Sequence, residues 1–126
     1  MSHKIFIAGS GGIGEAAAVL LREWSSTDVE IFLGDISEDN LHKAKQFITH
    51  LSQRTSHVEK ILMAKDGSNE AMNDAFQQCD ILLDCSPGSQ APRMAQFAKD
   101  FKMQGAVTIE DRQQYNEQGT IVTLVI

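Results

Sequence analysis

The sequence predicts an α/β fold: a doubly wound, mostly parallel sheet of about six strands with helices on both faces. Two observations carry that expectation. Apolar runs of four to seven residues alternate with segments of helical period along the whole chain, the pattern of a parallel sheet with right-handed crossovers. The first such run also passes directly into a glycine cluster that opens a helix. The length of 126 residues fits one domain with a real core, and the 42% hydrophobic and 22% charged shares are ordinary for a globular protein.

Residues 4–8 (Lys-Ile-Phe-Ile-Ala) form a short continuous apolar run, as expected of a strand buried on both faces. A helix is expected over residues 12–24, with Ile13, Ala17, Leu20, Leu21 and Trp24 on one stripe and Ala16, Ala17 and Ala18 allowing close packing on the sheet. Residues 25–28 break it. Residues 29–33 are the second strand, closed by Gly34 and Asp35. Ser37 is a natural N-cap for the next helix, with Glu38 and Asp39 in its first turn and Leu41, Ala44, Phe47, Ile48 and Leu51 at helical spacing. That helix frays over residues 52–57.

Residues 58–64 are a third strand, and residues 69–78 a short helix with Met72, Ala75 and Phe76 facing inward. Residues 80–85 (Asp-Ile-Leu-Leu-Asp-Cys) form the fourth strand, stopped by Ser86, Pro87 and Gly88. A helix over residues 91–103 would bury Met94, Phe97, Ala98 and Phe101, with Pro92 in its first turn and Gly105 just past its end. Residues 106–109 are a fifth strand, residues 113–119 a turn or frayed helix, and residues 120–126 a β-branched last strand. No internal linker or repeat interrupts the series.

Gly9, Ser10, Gly11, Gly12, Ile13 and Gly14 match G-x-G-x-x-G, and they do so between a strand and a helix, the context in which that pattern acquires meaning. Gly9 permits the tight turn, Gly11 removes a Cβ where a pyrophosphate must approach, and Gly14 lets the helix pack against the strand. Ser10, Gly12 and Ile13 would offer backbone N–H groups at the positive end of the helix dipole. Asp35 closes the second strand 21 positions after Gly14. A carboxylate there accepts hydrogen bonds from an adenosine ribose and repels a 2′-phosphate. Ile36 follows it rather than an arginine, while Lys43 and Lys45 lie further into the helix, so NAD is favoured over NADP. Together these features describe a dinucleotide-binding Rossmann domain.

Other dinucleotide and nucleotide signatures are missing. The short-chain dehydrogenase loop would need glycine at position 13, and its Tyr-x-x-x-Lys dyad fails because Gly119 stands four residues after Tyr115. A P-loop fails because Glu15 and Ala16 follow Gly14. Position at the carboxyl edge of the sheet adds Asp66 and Gly67 near an adenine, and Cys85, Ser86, Pro87 and Gly88 near the pyrophosphate and nicotinamide ribose. Asp84, Glu110 and Asp111 are strand-end acids that would touch a ligand or cap a turn.

Cys79 and Cys85 form no metal or redox motif and read as reduced, packed thiols. His3, His42, His50 and His57 are scattered without metal-ligand spacing and read as surface residues, so no metal is expected. The formal net charge of −6 argues against nucleic-acid and anionic-membrane partners. With no signal-like or membrane-spanning segment in view, the cytoplasm is the expected location.

The run from Ile5 to Leu21, the Gly34-Asp35-Ile36-Ser37 segment with Lys43-Ala44-Lys45 in the next helix, and Asp80 through Pro87 together resemble the amino-terminal cofactor domain of saccharopine dehydrogenase-like oxidoreductases. The resemblance covers most of the chain. It implies NAD(P)-linked chemistry at a C–N bond of an amino-acid-like substrate. Two departures stand out: that family commonly places a basic residue where Ile36 stands, and its members continue into a second α/β domain that supplies the substrate site.

The expectation is therefore a single dinucleotide-binding domain over residues 1–126, the substrate domain lying outside this chain, with binding but no turnover by the chain alone. The alternative is a nucleotide-sensing regulatory domain of the potassium-transport type, which shares the loop and the strand-end acid. The apolar segment 120–126 is expected to pair with a second copy or to be covered by that substrate domain.

Overall fold

The computed structural model describes residues 3–24, 28–52, 57–86 and 90–108. Within them the chain runs β1 (His3–Ala8), α1 (Gly12–Trp24), β2 (Val29–Asp35), α2 (Glu38–Leu51), β3 (Val58–Leu62), α3 (Glu70–Gln78), β4 (Ile81–Asp84), α4 (Ala91–Asp100) and β5 (Gly105–Thr108). The five strands form one sheet in the order β3-β2-β1-β4-β5, every pair parallel. This is the doubly wound α/β architecture that the alternating pattern predicts. The expected sixth strand (120–126), the turn at 113–119 and the acids Glu110 and Asp111 lie outside the described residues.

Side-chain alternation along the strands explains the two-sided core. Ile5 and Ile7 of β1, Ile31 and Leu33 of β2 and Leu83 of β4 join Ala17, Ala18, Leu41, Ala44 and Ile48 from α1 and α2. Phe6 and Ala8, Phe32 and Leu82 point the other way and join Met72, Ala75, Phe76, Met94, Ala95 and Ala98 from α3 and α4. Strands buried on both faces must be apolar at nearly every position, which is why β1, β2 and β4 read as continuous runs rather than alternating ones. Phe76 centres the second face, with its ring 4.6 Å from Phe6, 4.9 Å from Phe97 and 5.4 Å from Phe101.

Three expectations need correcting. The buried stripe of α1 runs through Gly14, Ala17, Ala18 and Arg22, with Leu21 half-buried, so that Ile13, Ala16 and Leu20 face outward. On α2, Leu41, Ala44 and Ile48 are buried, while Phe47 and Leu51 remain exposed. Finally, α4 ends at Asp100, three residues early, because Lys102 takes a positive φ of 53° and the Met103 N–H donates back to the Ala98 carbonyl at 2.9 Å. That left-handed closure ends the helix without glycine, and Gly105 opens β5 instead.

Candidate functional site

The strand order turns around at β1, whose neighbours β2 and β4 lead away in opposite directions. In open α/β sheets the crevice beyond the carboxyl ends at such a point is where ligands bind. The loop after β1 and the loop after β4 meet there. Gly9 has φ +95°, and a Cβ on it would stand 2.9 Å from the Cys85 carbonyl carbon and oxygen and from the Ser86 nitrogen. The Cys85 N–H in turn donates to the Ala8 carbonyl at 2.8 Å. At Gly14 a Cβ would lie 1.9 Å from the Gly9 carbonyl oxygen. Both outer glycines of the motif are thus demanded by backbone packing.

The middle of the loop is different. Among the described residues, a Cβ on Gly11 or on Gly12 would meet nothing within 4 Å. Gly11, Gly12 and Ile13 are exposed at the start of α1, and the first intrahelical bond is Glu15 N–H to the Gly11 carbonyl at 3.0 Å. The N–H groups of a helix's first turn have no partner within it, and they carry the positive end of its dipole. No contact with the described residues calls for glycine at 11 or 12. The packing leaves a shallow cradle of backbone donors, which is what close approach of a pyrophosphate needs.

Asp35 faces this loop across the ends of β1 and β2. The Ser10 N–H and the Ser10 hydroxyl both donate to Asp35 Oδ2, at 2.9 and 2.8 Å, and the Ser37 N–H donates to Oδ1 at 2.8 Å. Ser10 is buried, at 2% exposure, while Asp35 remains half-open. The carboxylate is therefore fixed against the glycine loop. Ser10 enters the site through Asp35, and Gly11, Gly12 and Ile13 remain as the outward-facing part of the loop. Ile36 and Ile13 lie exposed beside it, at 53% and 44%.

On the β4 side, Ser86 turns inward: its N–H and its hydroxyl both donate to Asp84 Oδ1, and Asp84 is fully buried. Ser86 thus shapes the turn that Gly9 packs on. Pro87 and Gly88 lie outside the described residues. Asp66 is exposed in the loop after β3, next to Gly67 with its positive φ of 63°. Arg93, which no sequence pattern singles out, reaches from α4 to this loop, donating to the Ala64 carbonyl at 2.9 Å and the Gly67 carbonyl at 2.6 Å. Its guanidinium lies 5.3 Å from the centre of the Phe97 ring, so one side chain ties the far wall of the crevice to α4.

Cys79 and Cys85 are both buried thiols. Burial, with the negative charge of Asp80, pushes the Cys79 thiol up to about 12. The four histidines are all exposed, with His57 3.8 Å from Glu59. Among the described residues no group of His, Cys, Asp and Glu could hold a metal ion, and no helix is long and apolar enough to cross a membrane.

No protein-family model and no curated protein matches this chain. Its backbone is similar to those of several solved structures. Shikimate dehydrogenase of Mycobacterium tuberculosis matches with a TM-score of 0.62 at 18% identity, over 96% of this chain and 45% of that one. UDP-N-acetylglucosamine 3-dehydrogenase GnnA of Acidithiobacillus ferrooxidans matches at 0.54 and 12% identity, over 86% of this chain and 29% of that one. The lactate dehydrogenase of Cryptosporidium parvum matches at 0.53 and 17% identity, over 86% and 35%. The chain spans less than half the length of each of these structures, and at these identities the likeness is one of fold: a Rossmann-type α/β domain.

Proposed function

We propose that this chain is the nicotinamide-dinucleotide-binding domain of a dehydrogenase-type oxidoreductase, with NAD preferred over NADP. The observation that carries it is the pairing of an open, side-chain-free loop at Gly11 and Gly12 with the Asp35 carboxylate held beside it. The first fits a pyrophosphate and the second fits a ribose while opposing a 2′-phosphate. Ile13 and Ile36 offer apolar surface at the rim, and Asp66 and Gly67, backed by Arg93, form the wall nearest an adenine. That the fold's structural neighbours include three dehydrogenases supports the same assignment.

A bound nicotinamide supplies a hydride acceptor or donor. This chain's residues bind it, orient it and select its ribose. Hydride transfer also requires a substrate held against the ring, and we assign that task to a partner domain. The resemblance of the glycine loop, the Asp35 segment and the β4 end to saccharopine dehydrogenase-like enzymes makes a C–N bond of an amino-acid-like molecule the favoured target.

Gly11→Val is the sharpest test, because the open space around Gly11 lets the branched side chain point into the cradle without disturbing the fold. The variant is expected to melt within about 2 °C of the native protein. NADH fluorescence should report binding to the native protein and none to the variant. Equal binding by both would remove the glycine loop from the site.

A further inference from the structure

Resting on the dinucleotide reading, we infer that Asp35 engages a single hydroxyl of the cofactor's adenosine ribose, and that Ser10 is the residue that imposes this limit. A carboxylate offers about four acceptor positions, two on each oxygen. The Ser10 N–H and hydroxyl occupy both positions on Oδ2, and the Ser37 N–H occupies one on Oδ1. Counting donors from the described residues, one acceptor position remains, on Oδ1. Ser10 is buried, so its hydroxyl is not displaced by a ligand arriving from the open side. Its backbone N–H is fixed by the Gly9 turn, whose glycine is wedged against Cys85 and Ser86. The carboxylate consequently reads one hydroxyl, the 2′-hydroxyl that a strand-end acid ordinarily contacts, and leaves the 3′-hydroxyl to water. Ser10 is a positioning residue: it acts on selectivity through Asp35.

The test uses the native protein and two NADH analogues, one lacking the 2′-hydroxyl and one lacking the 3′-hydroxyl of the adenosine ribose. Loss of a hydrogen bond to a charged acceptor should raise Kd by about tenfold or more for the 2′-deoxy analogue, with the 3′-deoxy analogue within about twofold of NADH. Ser10→Ala frees a position on Oδ2 and should make the 3′-deoxy analogue bind measurably more weakly than NADH. Ser10→Thr, which keeps the hydroxyl, should preserve the native pattern. Equal weakening by both deletions in the native protein, or by neither, would overturn the inference while leaving dinucleotide binding intact. A folded native protein that binds no NADH would overturn this inference together with the reading it rests on.

Discussion

At Gly14 an added methyl group would stand 1.9 Å from a backbone carbonyl oxygen, whereas at Gly11 it would meet none of the described residues within 4 Å. Two glycines of one motif therefore have separable duties. Gly14→Ala should lower stability by about 1–3 kcal/mol, since the clash is with backbone, and Gly11→Ala should leave urea unfolding almost unchanged. The Cys79 thiol is pushed up from 9.0 to about 12, by burial first and the charge of Asp80 second. Below pH 9 the thiol is protonated in both states. Between pH 9 and about 12 the unfolded chain releases the proton while the folded chain keeps it, so stability falls by up to about 1.4 kcal/mol per pH unit. Unfolding curves of the native protein and Cys79→Ala should diverge over that window, and Cys79 should resist alkylation at neutral pH in the folded state. Parallel curves would contradict the assigned burial.

Elements show where the sequence was legible and where it was not. The residues that end β1 and begin α1, and the inward face of α3, follow from local pattern: Met72, Ala75 and Phe76 are all buried, and Asn69 caps the helix by accepting from the Met72 N–H at 2.8 Å. Asn69→Ala should cost about 1 kcal/mol in thermal unfolding. The stripe of α1 is hard to read because Leu20 and Ile13 are apolar by composition, while α1 approaches the loop through Gly14 and the core through Ala17 and Ala18. Small residues pack nearest a sheet, and a hydrophobicity pattern weights them least. The end of α4 was hidden for a different reason, since a lysine carries out the left-handed closure ordinarily given to glycine. Lys102→Gly should raise stability by about 0.5–1 kcal/mol, and a loss would mean that the Lys102 side chain contributes elsewhere. In the candidate site, the glycines and Asp35 were visible from spacing. The Ser10 and Ser37 bonds to Asp35, the Asp84–Ser86 pair and the Arg93 strap were not, because each depends on how loops distant in sequence meet.

At the scale of the whole molecule, one sheet with a core on each face places the loops after β1, β2, β3 and β4 along a common edge. Scaffold and site are thereby separable. Phe76→Ala, which opens a cavity among Phe6, Phe97 and Phe101, should cost about 3–5 kcal/mol and weaken nucleotide binding only by unfolding the protein. Changes in the loop should do the reverse. Calorimetric titration of the native protein with NAD, NADH, NADP and NADPH measures dinucleotide binding itself. The dinucleotide assignment predicts saturable binding, tighter for the NAD pair, with Asp35→Ala narrowing the gap between the pairs. A folded sample that binds none of the four, or that binds the NADP pair more tightly, would contradict it.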